Sequence, residues 1–218
     1  DNPDIGSIEL SGVDIHRCHS QAKIELIKKI GIAFQKGGLF DYMTVAENLL
    51  FTMENMIDVN AIDVNERISF MLSAMDLLHT KDYYPHELSG GMQRRVGIAR
   101  ALCTDPKIAF FDEPTAGLDP ITSSLVLDML LSTVGGDKKT TILVATSNIE
   151  IAMRFSERII LIYEGRVIAD GPWKDLLVEG SDWVKRFLTL RLRGLDIGHI
   201  KRLGISEKFY KEMLILKG

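Results

Sequence analysis

Nowhere in the 218 residues is there an apolar run of the roughly 18 positions that a membrane-spanning helix needs, and no leader pattern opens the chain. The chain is therefore expected not to cross a membrane by itself. Cysteine is scarce. Cys18 and Cys103 lie far apart, form no disulfide framework and point to a reducing compartment. The cluster "HRCH" at 16–19 has no second ligand pair at zinc-like spacing and reads as a surface segment. Basic charge is not in excess either: 26 Lys and Arg against 30 Asp and Glu leave a net charge of −4, which excludes a dedicated nucleic-acid binder that works by phosphate neutralisation. Repeats and low-complexity tracts are also missing.

What is present is core material, with 46% apolar residues, enough for one large domain or two small lobes. Apolar runs predict strands near 7–10, 30–34, 107–111, 140–145, 158–163 and 166–169. Several are apolar throughout, as strands covered on both faces are. Helical patterns fall at 20–29, 44–54, 63–79, 90–104, 121–134, 148–156, 173–178 and 182–190, and "GGDKK" at 135–139 reads as a turn. Between 44 and 104 no strand interrupts the helices, whereas strands and helices alternate on either side. This predicts an α/β core with a mostly parallel sheet and an inserted α-helical subdomain. The first residues, starting at Asp1, read as the middle of a fold. The segment 191–218 reads as a separate C-terminal extension whose role is open, with a final helix begun by Ser206 and Glu207.

Chemistry concentrates in short segments. In "PHELSGGMQRRVGIARAL" (85–102), Ser89 suits an N-cap, and Gly90 and Gly91 let other atoms approach the helix end, where exposed N–H groups favour an anion. An ordinary capped surface helix is the alternative. The strand "IAFFDEP" ends in Asp112 and Glu113, at the strand C-terminus where α/β folds bind ligands. One carboxylate of the pair suits magnesium held through water, and its neighbour, expected to point the other way, suits polarisation of an attacking water. "TAGLDP" adds a glycine turn with Asp119, "TILVAT" leads to Ser147 and Asn148, and "IGIAFQ" ends in Gln35, whose carbonyl oxygen can coordinate a hard cation.

In this order, Gln35, "LSGGMQRR", "IAFFDEP" and "AGLDP" resemble the ATP-binding-cassette (ABC) ATPase family over about residues 4 to 190, as Q-loop, signature, Walker B strand and D-loop. The resemblance implies two cassettes dimerised head to tail, with ATP and Mg2+ as cofactors. It implies that Ser89, Gly90, Gly91 and Gln93 face the nucleotide of the partner cassette, that Gln35 and Asp112 serve the metal, that Glu113 is catalytic, and that Asp119 belongs to the D-loop. Two features depart from the family. The loop G-x-x-x-x-G-K-[ST] is absent, with no Gly-Lys dipeptide anywhere, which leads us to expect a cassette truncated at its N-terminus, inactive when isolated. Ser147 stands where the family usually has a switch histidine, and serine is too short and never cationic near neutral pH.

The 54 positions from Gln35 to Ser89 leave no room for a long coiled-coil insertion. The segment "FQKGGLFDYMTVAENLLF" resembles transporter cassettes, whose corresponding region receives a helix of a transmembrane permease. Leu39, Phe40, Met43 and Val45 are the candidates for that surface, with ordinary packing as the alternative. Similarity of "FQKGGLF" and "DEPTAGLDPITS" to lipid-transporter cassettes of the Mla or Mce type implies a lipid cargo. It also implies a peripheral place on the cytoplasmic face of the inner or plasma membrane, or on the stromal side in an organelle. The alternative function is a non-hydrolysing partner that contributes only its signature face.

Overall fold

The structure, a computed structural model, describes residues 3–134 and 140–192. The "GGDKK" turn and the tail from Arg193 onward, with its expected final helix, lie outside the described residues. The chain divides into two compact units, Asp1–Ala145 and Thr146–Gly218.

The first unit is built on a parallel sheet in the order β3-β4-β5, from Ile30–Ala33, Ile108–Asp112 and Thr141–Ala145. Ahead of it a small antiparallel pair, β1 (Glu9–Leu10) and β2 (Val13–Asp14), closes through Ser11 and Gly12, both at positive φ. That two-residue turn matches the twist of a hairpin. β2 was not expected, because two residues are too short to show an alternation.

Helix α1 (Ser20–Ile27) precedes β3, and between β3 and β4 stand α2 (Val45–Met56), α3 (Val64–Ala74) and α4 (Gly90–Leu102), with short 3-10 turns and no strand. Val45, Leu49, Met53, Met71, Leu72, Met75, Val96 and Ile98 bury almost completely among them. α3 stops five residues earlier than the apolar pattern suggests. Asp76 turns to φ 55, the N–H of Leu77 reaches Leu72 O at 2.8 Å and the N–H of Asp76 reaches Ser73 O at 3.0 Å. This is a left-handed helix stop without the glycine that normally announces it.

α4 lies on the sheet at very close range: a Cβ on Gly31 of β3 would sit 2.1 Å from Ala101 O, so only glycine fits there. That face of the sheet also carries the buried Ala33, Ala109 and Phe111. On the other face Ile32 and Leu143 are nearly half exposed, and Phe34 just beyond β3 is more than half exposed. Strands covered on both faces were expected; within these residues burial alternates along β3 and β5 despite their apolar composition. Helix α5 (Pro120–Val134) completes the unit between β4 and β5.

The second unit contains α6 (Ile149–Phe155), a hairpin of β6 (Ile159–Tyr163) with β7 (Arg166–Gly171), then α7 (Trp173–Glu179) and α8 (Asp182–Leu192). Its core is Met153, Ile159, Trp173, Leu177, Val184 and Leu188. Arg158 grips Asp170 across the hairpin with bonds of 2.6 and 2.8 Å, which holds the Asp170 carboxyl below the usual carboxylate range.

Candidate functional site

The strands of the first unit bring their C-terminal ends to one edge. Ala33 pairs with Phe111, and Asp112 with Ala145, so Gln35 and Glu113 each follow their strand by two residues past that paired level. Asp112 ends β4 and is exposed. Glu113 has left the strand: its φ is 45, its N–H donates to Ala145 O at 2.8 Å, and its side chain is half-buried. Glu113 thus leaves the strand in a left-handed turn, so the strand alternation expected to separate the two carboxylates does not extend to it. A non-glycine residue held there costs about 1 kcal/mol or more, a strain typical of functional turns.

Beyond Glu113 the chain makes tight turns, with the N–H of Ala116 on Glu113 O at 3.2 Å and that of Leu118 on Thr115 O at 3.2 Å. Asp119 then caps α5. Its Oδ1 accepts the N–H groups of Ile121 and Thr122 at 3.0 Å each, and its Oδ2 accepts the Thr122 hydroxyl at 2.5 Å. The Thr122 hydroxyl and N–H hold its carboxyl below the ordinary aspartate range. Pro120 at the first helical position completes a standard start.

Ser89 is the N-cap of α4: its Oγ accepts the N–H of Met92 at 3.2 Å. The N–H groups of Gly90 and Gly91 have no intrahelical acceptor, and no acidic residue stands in the first turn. Space is open around Gly90, where an added Cβ would meet nothing within 4 Å; at Gly91 it would meet Leu118 Cδ2 at 3.0 Å. The terminus is thus exposed, electropositive and beside the Asp119 loop. Gln93, expected to face nucleotide, has its amide nitrogen engaged within the chain. Its Nε2 turns back to Pro85 O at 2.8 Å and Leu88 O at 3.3 Å, bracing the turn that feeds the helix.

α4 also holds the loop after β3. Arg94 Nε donates to Gln35 O at 2.9 Å, and the buried Arg100 donates to Gly38 O at 2.8 Å and Gly37 O at 3.3 Å. Between them Gly97 meets Gly37 backbone to backbone; a Cβ at Gly97 would lie 2.7 Å from Gly37 O. The Gln35 carbonyl, through Arg94, and the Gly117–Leu118 turn that precedes Asp119 therefore both lie against the first turns of the helix that Ser89 caps. Sequence reasoning missed Arg94, Arg100 and the buried Asn48, whose Oδ1 accepts the N–H of Phe40 at 2.8 Å and whose Nδ2 reaches Phe40 O, Met43 O and Thr44 O. An arginine aimed at a backbone carbonyl leaves no mark in sequence, and "MQRR" reads only as local basic charge.

Of the expected coupling residues, Val45 is core; Leu39, Phe40 and Met43 are half-buried. Phe40 meets Phe51 edge-on at 5.1 Å and Tyr42 at 6.0 Å, and Tyr42 is 74% exposed. Ser147 is exposed and lies in the second unit, where its neighbour Asn148 caps α6 through Glu150 and Ile151.

Among the described residues no three His, Cys, Asp or Glu side chains form a metal cluster. One carboxylate with one amide nevertheless suits Mg2+, which takes its remaining oxygens from water and nucleotide phosphates.

The parallel sheet and the helices inserted between its strands together define an α/β cassette fold. The chain belongs to the ABC transporter family, whose model matches residues 1–116. It is 32% identical over 206 residues, 94% of its length, to the probable ribonucleotide transport ATP-binding protein mkl of Mycobacterium tuberculosis, of which it covers 55%. It is 35% identical to the methionine import ATP-binding protein MetN of Carboxydothermus hydrogenoformans, covering 81% of this chain and 52% of that protein. The chain thus spans about half the length of these curated relatives. Among solved structures, the dimeric ATP-binding cassette MJ0796 in a post-hydrolysis state with ADP and Pi superposes with a TM-score of 0.68 at 30% identity, covering 79% of this chain and 75% of that one. The cbiO1 protein of Clostridium perfringens, part of the ABC transporter complex cbiONQ, gives 0.67 at 32% identity, covering 91% and 77%. Among the described residues no helix is long and apolar enough to cross a membrane.

Proposed function

We propose that this chain acts as the ATP-binding subunit of an ABC transporter and that its α4 terminus is presented to nucleotide held by a second cassette. The observation that carries this is the terminus itself: a serine cap, two glycines, no acid in the first turn and open space at Gly90. Ser89, Gly90 and Gly91 receive the γ-phosphate in trans. Asp112 and Gln35 hold Mg2+, Glu113 polarises the attacking water, and Asp119 fixes the loop between them by capping α5. Bound ATP and Mg2+ supply the phosphoryl group and the cation that neutralises it; the chain's own residues orient and polarise.

The family's phosphate loop is not among these 218 residues. Ser147 at the histidine position favours a second reading: a partner that offers its signature face and does not hydrolyse ATP. The relatives named above are a ribonucleotide and a methionine transporter protein, and they lend no support to a lipid cargo. Partner subunits are a second cassette and a membrane permease, through which this chain would meet the cytoplasmic side of the membrane.

The test mixes this chain with an intact cassette whose own signature is inactivated by Gly→Asp. ATP turnover in the mixture, absent from each component alone, supports the trans role. In a form of this chain that also carries a phosphate loop, turnover that vanishes with Glu113→Gln supports the catalytic reading, and turnover that persists supports the non-hydrolysing partner. No turnover in the mixture would contradict both.

A further inference from the structure

We propose that Arg94 is a positioning residue for Gln35, tying the loop after β3 to the second turn of α4 so that the amide and the Ser89-capped helix end shift as one piece. The inference rests on the cassette reading for the meaning of Gln35, and on geometry alone for the tie.

The loop has little to hold itself. Gly37 and Gly38 sit at φ 77 and 61, and within the loop the N–H of Gly37 bonds Phe34 O at 2.9 Å. Two adjacent glycines make this backbone the most easily rearranged in the segment. Its order is supplied by α4, along a row of residues at three-position intervals. Arg100 takes the far end, donating to Gly37 O and Gly38 O, with its guanidinium 5.9 Å from the Phe40 ring centre. Gly97 sets the distance by backbone contact. Arg94 takes the near end and bonds the carbonyl of Gln35 itself at 2.9 Å.

The same guanidinium stands beside the other loop of the site, since a Cβ at Gly117 would lie 3.9 Å from Arg94 Nη1. One side chain, five positions after the cap, therefore adjoins both the Gln35 loop and the Asp119 loop. Arginine suits the place because Nε can engage one carbonyl while the planar fork projects past it. Arg94 is not buried like Arg100, so its removal opens no cavity in the core.

Hydrogen-exchange mass spectrometry on the 218-residue chain without nucleotide tests the tie in Arg94→Leu and Arg94→Lys. Losing a charge-assisted bond to Gln35 O is expected to speed exchange across residues 35–39 about tenfold in Arg94→Leu, with β4 amides at wild-type rates. Lysine, which retains a donor, restores most of the protection. Unchanged exchange in the loop with Arg94→Leu, or equal acceleration of loop and strand, or no recovery with lysine, would overturn the proposal. Mg-ATP binding by an assembled cassette pair is measured separately, so failure of the cassette reading is seen there and failure of the tie is seen in the exchange rates.

Discussion

Helices α2 and α4 of the same unit begin in opposite ways. α2 is closed. Thr44 accepts the N–H of Glu47 at 3.2 Å, and the Glu47 carboxylate returns to the N–H of Thr44 at 2.7 Å, a complete capping box with a negative charge on the positive helix end. α4 has only Ser89, then two glycines and no acid. Its nearest long polar side chain, Gln93, is turned away toward Pro85 and Leu88. A helix built only for stability ends like α2. One that forgoes the second cap bond and the favourable charge keeps its N-terminus free for an anion from elsewhere.

The largest expected effect comes from disturbing how α4 is seated. Gly97→Ala puts a methyl 2.7 Å from Gly37 O and 2.8 Å from Gly37 Cα, both backbone atoms. Urea unfolding should show a loss of about 3 kcal/mol, in the range of overpacked cores. Next come the caps themselves. Thr44→Ala together with Glu47→Ala removes both bonds of the box and is expected to cost about 1–2 kcal/mol, whereas Ser89→Ala removes one bond and costs about 1 kcal/mol or less. Equal losses would erase the contrast between the two helix starts.

Gly91→Asp gives α4 the acid that α2 has. Its new Cβ meets only the end of the Leu118 side chain, so stability should change by less than about 1 kcal/mol, with the dipole partly offsetting the crowding. ATP-driven pairing with a second cassette should nevertheless be lost. Smallest is the pH effect at Asp119, an exposed cap whose carboxyl is held below its unfolded value, mainly by the Thr122 hydroxyl. Its contribution is present above the unfolded pKa and is lost as pH falls through the folded one. Asp119→Asn should therefore flatten the stability profile slightly below about pH 4 and leave it parallel to wild type above.

The contrast was half legible in the sequence. Ser89 before two glycines marks an open helix start, and "IAFFDEP" marks a strand ending in carboxylates, because caps and apolar strands follow from local chemistry. The order of Gln35, signature, Asp112 and Asp119 carried the family. What escaped depends on contacts distant in sequence. Arg94 and Gln35 are 59 positions apart, and Arg100 and Gly38 are 62 apart. The stop of α3 at Asp76 escaped because a left-handed aspartate does the work usually given to glycine, and the turn at Glu113 because a positive φ is invisible in a run of strand formers. The turn of Gln93 Nε2 toward the carbonyls of Pro85 and Leu88 left no mark in the sequence either.

The central claim is that the open end of α4 faces nucleotide bound by another cassette. An ATP analogue with a photoreactive group on its γ-phosphate, bound to an intact cassette and irradiated in the presence of this chain, reads that geometry directly. Labelled peptides from this chain should map to residues 89–92, and the label should disappear with Gly91→Asp while the intact cassette keeps its nucleotide. Labelling that avoids 89–92, or that persists undiminished in Gly91→Asp, would contradict the account.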